Sequence, residues 1–198
     1  MNEVRDFVEM IKSRRTIRQF KQKKVSLDIL KDCIDAARLA PSASNLQPVK
    51  YFLIVDDEKV RKVFPLLKWA AYISPRGNPE KGREPTGYIV VLVDKEIRSS
   101  GYEYDVGAGV ENFILSAWAY GVASCWLLSV DRVKLREIFR IPEKYIIDSV
   151  VAFGYPDEKS VVEKVVDGSV KYWKDETGVF HVPKRALKEI LIIDEFEE

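Results

Sequence analysis

Residues 104–128 read YDVGAGVENFILSAWAYGVASCWLL, and the fold turns on this stretch. The segment 104–120 is the most apolar helical pattern in the chain, with the small residues Gly107, Ala108 and Gly109 at one end. A helix apolar nearly all round is buried inside a domain or in a subunit interface. Gly121 is placed to cap it, and VASCWLL (122–128) then reads as a strand. Working outward, YIVVLV (88–93) is a continuous apolar run, the kind of strand buried on both faces. KYFLIV (50–55) and YIIDSVVAFG (145–154) read as further strands. Helices and strands are mixed along the chain, with strands far apart in sequence. That order indicates one layered domain rather than two.

The remaining pattern fills in the layers. Val4, Phe7, Val8 and Ile11 recur at helical spacing, so 3–13 reads as an amphipathic helix. RRTIRQFKQKKV (14–25) is dense in cations and reads as extended chain. Ser26 is an N-cap with Asp28 in the first turn, and Leu27, Leu30, Ile34 and Ala37 then line one helix face as far as Pro41. A helix near 57–64 follows, and a Pro- and Gly-rich surface loop over 73–87. Asp131 caps a short helix ending before Pro142. Residues 157–180 read as polar and irregular, and LKEILII (187–193) as a last strand or helix.

Composition bounds the function. The 198 residues carry 32 Lys+Arg against 31 Asp+Glu, a net charge of +1. That balance argues against a nucleic-acid binder, which would show a basic field. The longest apolar runs fall short of the ~20 residues that span a bilayer. The N-terminus has early acids and no apolar signal core. With two cysteines, Cys33 and Cys125, and no CxxC, a reduced cytoplasm is the expected location. Low Asn, Gln, Cys and Met beside abundant Lys and Glu lean toward a thermophilic source.

No protein side chain stands out as a reactive group. His181 is the sole histidine, no His/Cys spacing suits a metal, and no GxSxG elbow is present. Gly107-Ala108-Gly109 begins like a dinucleotide fingerprint, but position 112 is Asn and the run sits in a helix, so close packing is the better reading. An enzyme with this inventory brings its chemistry in with an organic cofactor. Two segments suit such a group. Arg14-Arg15-Thr16-Ile17-Arg18 offers three guanidiniums and a hydroxyl for a phosphate, with Arg14, Thr16 and Arg18 on one side of an extended chain. Composition alone is better served by a solvated basic patch. PSASNLQP (41–48) packs hydroxyls and amides into a loop that could bond a polyol or a heterocycle edge; alone, it would be an ordinary turn.

Four stretches, in order, together resemble the FMN-dependent nitroreductase-like oxidoreductases. They are RRTIRQF (14–20), APSASNLQP (40–48), DVGAGVENFILSAWAYGVASCWL (105–127) and HVPKRALKEIL (181–191). The resemblance implies an α+β fold, a three-layer α/β/α sandwich with a mainly antiparallel central sheet. It implies a single domain over 1–198 working as a homodimer, with FMN at the interface and the C-terminal segment extending onto the partner subunit. Carried over by position, Arg14, Arg15, Thr16 and Arg18 would hold the FMN phosphate and ribityl end, joined by Lys184 and Arg185. Ser42, Ser44, Asn45 and Gln47 would line the flavin from the partner subunit. The backbone around Trp126, Leu127 and Leu128 would lie at the reactive edge. NADH or NADPH would be the reductant, and a nitroaromatic, quinone or enone the acceptor. No catalytic side chain is implied.

The chain departs from the family pattern at Val49, where a Trp is usual, at Ala186, where Pro is usual, and at Leu128-Ser129, where some members carry Glu-Gly. Trp69 and Tyr72 are candidates for a lid or for packing. The same motifs would serve a flavin destructase, a dehalogenase, a cofactor-biosynthesis enzyme or a non-catalytic flavin-binding regulator.

Overall fold

The computed structural model describes residues 2–195. In chain order the elements are α1 (Asn2–Ser13), β1 (Phe20–Lys21), α2 (Leu27–Arg38), β2 (Val49–Ile54), α3 (Asp57–Val63), β3 (Gly87–Asp94), α4 (Glu103–Ala119), β4 (Ala123–Leu127), α5 (Arg132–Phe139), β5 (Tyr145–Pro156), β6 (Ser160–Lys164), β7 (Trp173–Lys174) and β8 (Phe180–Lys184).

The central sheet is antiparallel at every pairing: β2 with β3, β3 with β5, and β5 with both β4 and β1. β3 is buried over its whole length, as its unbroken apolar run requires of a central strand. Its alternate residues feed two cores. Ile89, Val91 and Val93 pack with Leu30, Cys33 and Ala37 of α2 and with Val106, Val110, Phe113 and Ala117 of α4. Tyr88, Val90 and Leu92 pack on the other face with Val63, Leu66, Trp69 and Leu135. The result is helices, sheet, helices: the α+β sandwich expected.

Local signals act as the residue types dictate. The Ser26 hydroxyl accepts from the Ile29 amide, and the Asp131 carboxylate from the Lys134 amide. Gly121 follows α4 at φ +71°, a left-handed position that favours glycine. Gly109 explains how closely α4 sits: a Cβ there would meet the Tyr51 hydroxyl at 2.1 Å and the Ala37 carbonyl oxygen at 3.4 Å. Gly107 faces open space, so only one of the two glycines serves the packing expected of both.

Three expectations are corrected. Leu27 does not join the buried face of α2; it is half exposed, and Cys33 takes its place between Leu30 and Ala37. Residues 157–180 are not irregular. β6 pairs in parallel with β8, and β7 pairs antiparallel with β8, making a separate three-stranded sheet. These strands are short and polar, and their partner is distant in sequence, so no local periodicity announces them. His181 therefore lies in a strand. Residues 187–193 form neither strand nor α-helix but one 3₁₀ turn at Leu187–Glu189 followed by irregular chain.

Two apolar surfaces stay uncovered. On α1, Val4 and Phe7 are 71% and 59% exposed, with Val8 and Ile11 beside them. Leu187, Ile190, Leu191, Ile192 and Ile193 at the other end of the chain are exposed as well.

Candidate functional site

The N-terminal basic segment lies along β4. The Ile17 amide donates to the Ser124 carbonyl at 3.0 Å, and Thr16 and Ser124 form a parallel bridge. Ile17 is buried with Phe20 and Ala123, with Trp118 of α4 packed against them. An apolar residue inside the basic run thus pins its backbone to the sheet. The first and third resembling stretches become neighbours, and residues 14–18 lie beside the strand carrying Trp126 and Leu127.

The cations differ in surroundings. Arg14 Nε is 3.8 Å from Glu111 Oε1 of α4, a loose contact. Arg15 donates from Nη1 to the carbonyls of Lys12 at 2.8 Å and Arg14 at 2.5 Å. Partial burial, with Arg14 beside it, lowers the Arg15 pKa. The Arg18 amide donates to Glu158 Oε1 at 2.5 Å. Its guanidinium carbon stands 5.3 Å from the ring centroid of Tyr172 and 5.1 Å from that of Phe180. Arg14 and Arg18 therefore reach different neighbours, not the shared side expected of an extended segment.

Trp126 is exposed on β4, its indole Nε1 donating to Ser149 Oγ at 2.7 Å. Leu127 is buried and Leu128 is exposed. The Leu128 carbonyl accepts from Arg132 Nη2 at 3.1 Å. The next residues meet the segment before the surface loop: Lys68 donates its amide to the Ser129 carbonyl, and Leu67 bridges to Val130. Of the two lid candidates, Trp69 is buried in the core, 6.0 Å from the Phe64 ring. Tyr72 is exposed and 5.0 Å from the Tyr172 ring.

The 41–48 loop is held from the first turn of α4. Buried Asp105 accepts the Ala43 amide on Oδ1 at 2.9 Å, and Arg98 Nη1 lies 3.6 Å from its Oδ2. Inside the loop, Ser42 Oγ accepts the Gln47 amide at 3.1 Å, and Gln47 Nε2 donates to the Asn45 carbonyl. Ser44, Asn45 and Gln47 have φ of 53°, 55° and 52°. Left-handed backbone at non-glycine residues costs energy and tends to gather at functional sites. Ser44 and Asn45 point outward, and among the described residues neither side chain has a hydrogen-bond partner. Among the described residues, no hydrogen bond or ion pair joins this loop to residues 14–18.

Lys184 and Arg185 end β8. Arg185 Nη1 is 3.7 Å from Glu189 Oε2, and Lys184 is exposed beside Lys164 of β6. Among the described residues, neither contacts Arg14 or Arg15 through an ion pair or hydrogen bond. The two ends of the chain meet instead at Phe180, the first residue of the same strand, against Arg18.

Sequence reasoning missed four residues: Asp105, Glu158, Tyr172 and Phe180. An acid opening an apolar helix was the one available signal for Asp105. The other three act only through the second sheet and the turn leading to it.

An antiparallel sheet with helices on both faces, and a basic segment laid along its β4 edge, defines a nitroreductase-type α+β protein. The chain belongs to the nitroreductase family, whose model matches residues 11–155. It is 32% identical over 166 residues to an Archaeoglobus fulgidus protein provisionally named NADH dehydrogenase/NAD(P)H nitroreductase, covering 79% of this chain and 89% of that one. It is 26% identical to the iodotyrosine deiodinase of Thermotoga neapolitana, over 76% of this chain and 88% of that one. Among solved structures, an FMN-dependent nitroreductase from Clostridium difficile superposes with a TM-score of 0.70 at 22% identity, covering 96% and 99% of the two chains. A Desulfovibrio desulfuricans nitroreductase in complex with FMN gives 0.69, also at 22% identity, over 96% and 98%. These two likenesses are of fold.

Proposed function

We propose that the protein is an FMN-dependent oxidoreductase working as a homodimer in the cytoplasm. The observation that carries this reading is the Arg14–Arg15 pair on the β4 edge. Two adjacent arginines stand here with one loosely placed carboxylate, Glu111, as the countercharge of Arg14. Burial, and then the charge of Arg14, lowers the Arg15 pKa. A phosphate dianion would supply the missing charge, so the residues present fit FMN. Bound there, FMN would pass reducing equivalents from NADH or NADPH to an electron-poor acceptor such as a nitroaromatic, quinone or enone.

The chain's own residues then bind and orient. Arg14, Arg15, Thr16 and Arg18 hold the phosphate and ribityl end, joined by Lys184 and Arg185 from the end of β8. Ser42, Ser44, Asn45 and Gln47 line the flavin of the partner subunit. Three features support that last role: the outward side chains of Ser44 and Asn45, the left-handed backbone, and the separation of this loop from residues 14–18 within one chain. The uncovered faces of α1 and of residues 187–193 supply the apolar surface for pairing, with the C-terminal segment crossing to the partner. Trp126, Leu127 and Leu128 flank the reactive edge through their backbone. Cationic groups near the reduced, anionic cofactor favour that form.

Purified protein is expected to be yellow, to oxidise NADH or NADPH in steady state, and to do so faster with a quinone or nitroaromatic present. A colourless protein that takes up no FMN overturns the reading. The deiodinase relative favours a second reading, reductive dehalogenation on the same fold. Turnover of a halophenol with slow or absent reduction by NAD(P)H would select it.

A further inference from the structure

A cleft of about 460 Å³ lies between α3 and the chain that leads into β3, a volume within the range of small-molecule sites. None of its residues is among those proposed to hold FMN or to pair the subunits. α3 supplies one wall: Asp57, Val60, Arg61 and Phe64 are spaced i, i+3, i+4 and i+7, so they share a helical face. The other wall is the stretch 84–86, with Tyr88 following in β3. Gln22 ties this wall to the chain after β1, its Nε2 donating to the carbonyls of Phe20 at 3.2 Å and Glu84 at 2.9 Å. The interior is apolar. Val60 and Phe64 are half-buried against the core cluster that contains Tyr88, and Pro85 is buried.

The charges of the cleft are of both signs. Lys24 Nζ lies 2.9 Å from Asp57 Oδ1, so these two cancel. Among the described residues, Arg61 and Glu84 make no ion pair, and Glu84 Oε2 accepts only the Gly82 amide, at 2.7 Å. One guanidinium on α3 and one carboxylate on the other wall are thus left without countercharge. Two hydroxyls border the same space: Thr86 Oγ1 and Tyr88 Oη are buried without a hydrogen-bond partner, and Tyr88 is fully buried. Burial, and then the charge of Glu84, raises the Tyr88 pKa, so its hydroxyl keeps its proton. A purely apolar guest would leave all these groups unmatched, and a guest of one charge would match Arg61 or Glu84 but not both. We propose that the cleft binds a free α-amino acid with a large apolar side chain. Arg61 takes the α-carboxylate, for which a guanidinium fork is suited. Glu84 accepts from the α-ammonium, and Val60, Phe64 and Pro85 receive the side chain. The site does not depend on the FMN reading.

Isothermal titration calorimetry of the full-length protein tests it with three probes: phenylalanine, 3-phenylpropanoate, which lacks the ammonium, and phenethylamine, which lacks the carboxylate. Phenylalanine should bind roughly tenfold more tightly than either analogue, as expected for one further charge-assisted bond. Arg61→Gln should weaken phenylalanine roughly tenfold and leave phenethylamine unchanged. Glu84→Gln should weaken phenylalanine to the same degree and leave 3-phenylpropanoate unchanged. Val60→Trp, which fills the cleft and spares both charges, should abolish binding of all three, with far-ultraviolet circular dichroism confirming that each variant is folded. Equal affinity for the three probes overturns the proposal. So does the absence of phenylalanine binding at millimolar concentration. Binding that survives Val60→Trp at full strength lies elsewhere on the molecule and overturns it as well.

Discussion

Trp173 and His181 stack ring on ring across the β7–β8 pair, centroids 4.9 Å apart and planes 5° from parallel. His181 Nδ1 lies 2.7 Å from Glu163 Oε1, and Nε2 lies 3.1 Å from Asp175 Oδ2. The chain's sole histidine thus clasps all three short strands or their flanks. Glu163 first, then Asp175, raises the imidazole pKa above its ordinary 6.5. A raised folded-state pKa means the clasp contributes fully below 6.5 and is lost as pH rises through the folded value. Asp175 runs the other way. Bonds from His181 and the Val179 amide hold its carboxyl far below 3.8, so its contribution is present above 3.8 and fades as pH falls below that. Melting temperature should therefore drop on the alkaline side of 6.5, and His181→Phe should flatten that limb. An unchanged pH profile in the variant would show the clasp to be idle.

Charge reversal at both ends of the proposed phosphate site should release the cofactor. The Arg14→Glu, Arg185→Glu double variant is expected to purify without flavin absorbance while keeping its far-ultraviolet circular dichroism. Full flavin occupancy in the folded variant would place the phosphate elsewhere.

The two glycines of α4 should respond in opposite directions. Gly109→Ala drives a methyl into the Tyr51 hydroxyl, which itself donates to the Ala37 carbonyl at 3.5 Å. Overpacking of this kind costs about 1–3 kcal/mol. Gly107→Ala meets nothing within 4 Å of the new methyl, and the helix gains up to ~1 kcal/mol of propensity. Thermal or urea unfolding of the flavin-free protein reads both, and equal effects would refute the packing account.

In the dimer proposed above, an acid on the outer face of α1 should separate the subunits. Phe7→Glu puts a charge among Val4, Val8 and Ile11, which are 71%, 40% and 37% exposed. Light scattering should then report a monomer, and flavin affinity should fall with the loss of the partner's loop. A variant that stays dimeric would remove α1 from the interface.

The central layers were legible because burial leaves a local mark. YIVVLV announced a strand buried on both faces, and the apolar run before Gly121 announced α4. The basic run at 14–18 and the polar loop at 41–48 were legible as residue types, yet their destinations were not. What turns Arg18 away from Arg14 is a pair of aromatic rings from the far end of the chain, and what holds the 41–48 loop is a buried aspartate in an otherwise apolar helix. Cys33 replaces Leu27 in the α2 face because burial follows the neighbouring helix, not hydrophobicity alone. The second sheet was hidden for a related reason: a parallel pairing of two polar strands gains its stability from a partner that no short window contains.

The cation–π cradle of Arg18 carries a consequence for biosynthesis. Its post emerges from the ribosome near the beginning of translation, and its two rings emerge near the end. The nascent chain can collapse its central layers while the cradle is still open. The contact of Arg18 with these two rings therefore forms only after Phe180 has left the ribosome.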